Sequence, residues 1–79
     1  MPDHSETVSF AASQILGYLE RHPLAADTVR GITNWWLREQ GVQVPEAIVA
    51  EALEGLVTKG QVERQVAAGG EVLFRLRVN

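Results

Sequence analysis

The sequence predicts a small α+β domain, a three-helix cluster closed by a C-terminal two-stranded β-hairpin. Three observations carry this. Apolar residues recur at helical spacing in three successive stretches before residue 59. Strict period-two alternation follows in two short runs after residue 61. The links between them are short and marked by Pro23, Gly41, Gly60 and Gly69-Gly70. Helices of this length cannot bury a face alone, so mutual packing with the hairpin on one side is the economical arrangement.

Residues 1–6 are polar and expected to form a loose tail, leaving residues 7–79 as one domain. In the first helix, Val8, Ala11, Ala12, Ile15, Leu16 and Leu19 fall on one face. Pro23 stops it, because the residue before a proline is pushed out of the α region; the expected span is Thr7 to Arg21. Asp27 is the expected N-cap of the second helix, since its carboxylate can accept from free backbone N–H groups. That helix runs to about Gln40, with Gly41 as the residue after its cap. Val29, Ile32 and Trp36 share a stripe. At about 100° per residue, Trp35 and Leu37 fall on opposite shoulders of it.

Pro45 suits a first helical turn, and Glu46 lies favourably near the positive end of the third helix. Ile48, Val49, Ala52, Leu53, Leu56 and Val57 form its apolar stripe; Ala47, Glu51, Glu54 and Thr58 form the opposite face. Gly60 ends it. In the hairpin, Val62, Arg64 and Val66 share one side of the first strand. Val72, Phe74, Leu76 and Val78 share one side of the second, with Leu73, Arg75 and Arg77 on the other. The expected core is Ile15, Leu16, Leu19, Val29, Ile32, Trp36, Ile48, Val49, Leu53, Leu56, Val62, Phe74 and Leu76.

The stretch LEGLVTKGQVERQ at 53–65 resembles the end of the third helix and first wing strand of many bacterial winged helix-turn-helix regulators. Leu53, Leu56, Gly60, Val62 and Arg64 carry the match, and the domain resemblance covers roughly residues 8–78. It implies a winged-helix fold in which the third helix is offered to the DNA major groove and the hairpin is the wing. A second stretch, ILGYLERHPLAADTVRGITNWWL at 15–37, looks like part of small bacterial proteins of unassigned function.

Charge opposes the usual winged-helix role. The net charge is −3, whereas nucleic-acid binders present a basic footprint. Residues 1–58 carry Arg21, Arg30 and Arg38 against eight acids, a local −5. From residue 59 onward, Lys59, Arg64, Arg75 and Arg77 against Glu63 and Glu71 make a local +2. The outward face of the third helix offers Glu51 and Glu54 where phosphates would have to approach. One glutamate can accept from cytosine N4; two without a neighbouring base are repelled.

The sequence therefore favours a non-catalytic module that binds a protein partner or itself. Its expected contacts are the Trp35–Leu37 shoulder and the Glu51–Glu54 face, aromatic residues being common interface anchors. The rival is a DNA-binding regulator holding phosphates through Arg30, Asn34, Arg38, Lys59, Arg64, Arg75 and Arg77. Against it, the Arg30–Asn34–Arg38 stripe also suits a solvated helix face. Arg75 and Arg77 also suit an edge strand protected from pairing. Arg64, on the same side as Val62 and Val66, can lie along the sheet and pair with an acid.

No enzyme is expected. His4 and His22 have no partner at metal-ligand spacing. Ser5, Ser9 and Ser13 belong to no recognisable triad, and Gly69-Gly70 precedes no helix that would make a phosphate cradle. No cofactor, metal or small-molecule substrate is implied. The absence of cysteine excludes disulfides and thiolate chemistry. With no apolar run near about 18 residues and no secretory pattern in MPDHSETVSF, a cytoplasmic protein with no membrane partner is expected.

Overall fold

The computed structural model describes residues 3–77. It is an α+β domain of three helices and a three-stranded antiparallel sheet. Helix α1 is His4–Arg21 and strand β1 is Ala26–Asp27. Helix α2 spans residues 29–39 as three consecutive segments: Val29–Gly31, a π-helical Ile32–Trp36, and Leu37–Glu39. Helix α3 is Glu46–Thr58, and strands β2 and β3 are Val62–Val66 and Val72–Leu76. The sheet order is β1-β3-β2.

Helix α1 begins earlier than its apolar periodicity indicates. The Asp3 carboxylate accepts from the Glu6 amide at 2.8 Å and caps the first turn, with Glu6 favourably placed against the helix dipole. His4, Ser5 and Glu6 are thus helical rather than part of a loose tail. Residues 1–2 of that tail, and Val78 of the expected strand alternation, lie outside the described residues.

The two-residue β1 is a further departure from the expected hairpin. Ala26 pairs with Arg75 and Asp27 with Phe74. The N-cap is Thr28, one residue beyond the expected Asp27, which pairs with Phe74 in the sheet. Thr28 Oγ1 accepts from the Gly31 amide at 3.1 Å, while Asp27 Oδ1 accepts from the Thr28 amide at 2.8 Å. The Asp27 carboxylate then lies directly on Gly31, where a methyl group would overlap it. Overpacking of this kind costs about 1–3 kcal/mol and outweighs the helix propensity gained, about 1 kcal/mol. Gly31→Ala is expected to melt below the parent, with part of the loss recovered by adding Asp27→Ala, which relieves the overlap but gives up the bond from the Thr28 amide. Equal melting of parent and single variant would show that the carboxylate is not held there.

Helices α2 and α3 end in the same way. Gly41 and Gly60 have φ of 74° and 75°, a left-handed conformation that a Cβ disfavours. After α2, the Val42 amide donates to the Leu37 carbonyl and the Gly41 amide to Arg38; after α3, Gln61 donates to Leu56 and Gly60 to Val57. These paired bonds satisfy carbonyls that the helix ends would leave open.

The centre of α2 changes the expected burial. The Leu37 amide bonds to the carbonyl of Ile32, five residues back. This wider turn brings Ile32 and Leu37 onto the same face, both fully buried. Trp36 is 4% exposed and stacks on Tyr18 with ring centroids 4.6 Å apart, whereas Trp35 is 69% exposed. Leu37 is therefore a core residue and not a surface shoulder: straight α geometry misplaced it because it allows no extra residue in the turn.

The core comprises Ala11, Ile15 and Leu19 of α1, Ile32, Trp36 and Leu37 of α2, Val42, four residues of α3 (Val49, Ala52, Leu53, Leu56), Val62 and Phe74. Of the expected set, Leu16, Val29, Ile48 and Leu76 pack at its edge and are only partly buried. Val66 belongs to the core-side register of β2 but is 68% exposed. Only the Val62 end of β2 is buried, and from Arg64 onward the strand is exposed.

Candidate interaction surface

Helix α3 points Val49, Ala52, Leu53 and Leu56 inward, so the 3.6-residue period turns Ala47, Glu51, Glu54 and Thr58 outward. Three of its glutamates are engaged by three different elements. Glu46 lies 3.9 Å from Arg30 of α2. Glu51 Oε1 lies 2.7 Å from His4 Nε2 at the start of α1. Both carboxylate oxygens of Glu54 accept from Arg64 of β2, at 2.6 and 2.5 Å. All these pairs are solvent-accessible, so each contributes little stability. Their main consequence is positional: the carboxylates on the outward face of α3 are laced to three neighbouring elements, and the Arg64 guanidinium offsets the charge of Glu54.

The same pairs dispose of much of the candidate basic surface. Arg30 and Arg64 are taken up as described. Arg75 lies 3.0 Å from Glu63, directly opposite on β2, and donates to Gln65 at 3.3 Å. Among the described residues, Arg38, Lys59 and Arg77 have no acid within ion-pair distance. They do not converge. Arg38 lines an open cleft of about 420 Å³ with Thr33, Asn34, Gln43 and Glu46, beside the start of α3. Lys59 and Arg77 stand at its other end, where the Arg77 guanidinium lies 3.0 Å from where a Gly60 Cβ would stand. Thirteen helical residues separate these ends by about 20 Å, with the glutamates between.

Of the expected partner contacts, Trp35 is exposed, Glu51 and Glu54 are exposed but paired, and Leu37 is buried. Trp35 therefore stands without the flanking leucine expected of it. Other large exposed apolar side chains are Phe10 on α1, Leu24 in the following turn, and Val66 with its cross-strand partner Val72 near the hairpin tip.

Two features escaped sequence reasoning. His4, expected in a loose tail, instead reaches from α1 to Glu51 of α3; the signal in the sequence is the Asp3–Glu6 capping pair. The second is a groove of about 330 Å³ between α1 and α3, with Ser9, Ala12 and Ser13 on one wall and Ala52, Gly55 and Lys59 on the other. Its trace in the sequence is the run of small residues on facing helical stripes.

No group of three or more histidine, aspartate or glutamate side chains suited to a metal occurs among the described residues. No helix among them is long and apolar enough to cross a membrane. Comparison with models of protein families, with curated proteins and with solved structures finds no match for this chain.

Proposed function

We propose that this chain is a non-catalytic winged-helix module that binds a protein partner or a second copy of itself. The winged-helix reading is supported by the order helix, strand, helix, helix, strand, strand, and by a central β3 flanked by β1 and the wing strand β2. The observation that carries the interaction reading is Trp35. It is 69% exposed beside a buried Trp36, and an indole held out in solvent on a helix is the kind of group that anchors protein interfaces. A cysteine-free chain suits a cytoplasmic setting.

The rival reading is a DNA-binding regulator, favoured by Arg38, Lys59 and Arg77, which meet no acid among the described residues. Their separation along α3 and the glutamates between them weigh against it. Fluorescence titration against duplex DNA separates the two. The expected result is no binding even at low salt, where nonspecific affinity is greatest. Submicromolar binding at physiological salt, lost in an Arg38→Ala/Lys59→Ala variant, overturns the interaction reading. Trp35→Ala is expected to change stability by no more than about 0.5 kcal/mol, as for a surface substitution. A larger loss in denaturant titration would mean that Trp35 serves the fold and not a partner.

A further inference from the structure

We propose that the partner is a second copy of this chain, docked on the groove between α1 and α3, with the two α3 helices crossing antiparallel at Gly55. Glu51 of each copy then faces Lys59 of the other. This inference rests on the interaction-module reading for its premise that the chain binds a partner, and adds a surface whose lining does not include Trp35.

Gly55 is the first observation. It sits inside the 13-residue α3, on its exposed side, where glycine costs about 1 kcal/mol relative to alanine. The fold makes no use of the missing side chain: a Cβ built there meets no atom within 4 Å. At Gly31 the opposite holds, because the Asp27 carboxylate occupies the space. What benefits from a bare backbone at Gly55 is a body approaching from outside.

Charge complementarity selects that body. Glu51, Gly55 and Lys59 are spaced four residues apart and form one ridge along α3. Opposite charges thus stand at equal distances on either side of the glycine, about 6 Å along the axis. A two-fold axis through Gly55 carries Glu51 of one copy to Lys59 of the other, twice over, as a self-complementary interface requires. Ridges of this spacing interlock at a crossing angle of about −50°. Lys59 is free of ion pairs among the described residues. Glu51 meets His4 through Oε1 only, which leaves Oε2 for the lysine. The walls of the groove beside the crossing are small, Ser9 and Ala12 on α1 and Ala52 on α3, and they admit a helix at close range.

Sedimentation velocity on the full chain, from micromolar to millimolar concentration, tests this. A concentration-dependent dimer is expected. Gly55 is exposed and a Cβ there meets no atom, so Gly55→Leu should keep or raise the melting temperature while weakening dimerisation about tenfold or more. Lys59→Glu should weaken it by placing like charges together, and Glu51→Lys/Lys59→Glu should restore it. A chain that stays monomeric at millimolar concentration overturns the proposal. So does a dimer indifferent to Gly55→Leu, or a double swap that fails to rescue. If Trp35→Ala dissolves the dimer and Gly55→Leu does not, this surface is wrong while self-association stands. DNA binding in the titration above would remove the module reading itself.

Discussion

Trp36→Ala is expected to lower the stability of this domain by about 3–5 kcal/mol, the usual cost of truncating a buried large aromatic. A chain of 79 residues has a total of only about 4–12 kcal/mol. The variant should therefore be largely unfolded at moderate temperature or in low denaturant. The size of the effect follows from position. Trp36 packs between α1 and the rest of the core, is 4% exposed, and stacks nearly parallel to Tyr18, at an interplanar angle of 10°. Offset aromatic pairs add about 0.5–1.5 kcal/mol beyond their buried area. Urea titration followed by circular dichroism measures the loss. Trp35→Ala in the same experiment is the internal contrast, one residue away and out in solvent. An unshifted midpoint for Trp36→Ala would contradict the placement of its ring in the core.

Leu37→Ala is the second large effect, expected at about 2–5 kcal/mol. It discriminates sharply because it tests the π-helical turn itself. On a straight α-helix, Leu37 lies about 100° from Trp36 and its truncation should cost no more than about 0.5 kcal/mol. In the observed backbone, the Leu37 amide reaches the Ile32 carbonyl and its side chain is fully buried. Its carbonyl also receives the Val42 amide at 2.8 Å, and Val42 is itself a core residue. The substitution thus opens a cavity where the helix end is tied to the core. A small change in the urea midpoint would indicate an uninterrupted α-helix with Leu37 at the surface.

The helices and the hairpin were legible because their signals are local. Ile15 and Leu19, Val49, Leu53 and Leu56, and Val62 and Phe74 repeat with the period of the element that holds them, and all are buried. The helix ends were legible at Gly41 and Gly60, because only a residue without a Cβ takes the left-handed conformation at little cost. Strand β1 was not. Two residues make no alternation, and Ala26–Asp27 is a strand only because the far edge of β3 offers Arg75 and Phe74 as partners. The wider turn in α2 was equally silent. It is stabilised by burying Ile32, Trp36 and Leu37 together, and that gain arises only once α1 and α3 are in place.

The candidate surface divides in the same way. Glu51 and Glu54 were readable as outward-facing from periodicity alone, and Trp35 as one member of a pair that could not both be buried. Their partners were not readable. His4 is 47 residues from Glu51 and Arg64 is 10 from Glu54, and nothing local says which cation a carboxylate will meet. By itself the sequence determined the three helices and the two strands of the hairpin, most of their apolar faces, and the negative net charge. Those properties are set within a few residues by backbone sterics and side-chain spacing. Only the tertiary structure decided that the acids of α3 meet side chains of three other elements, that Leu37 turns inward while Trp35 stays out, and that Gly55 lines an open groove. Each of these depends on surfaces distant in the chain being pressed together, and on the free energy gained when apolar area and charge are matched across them.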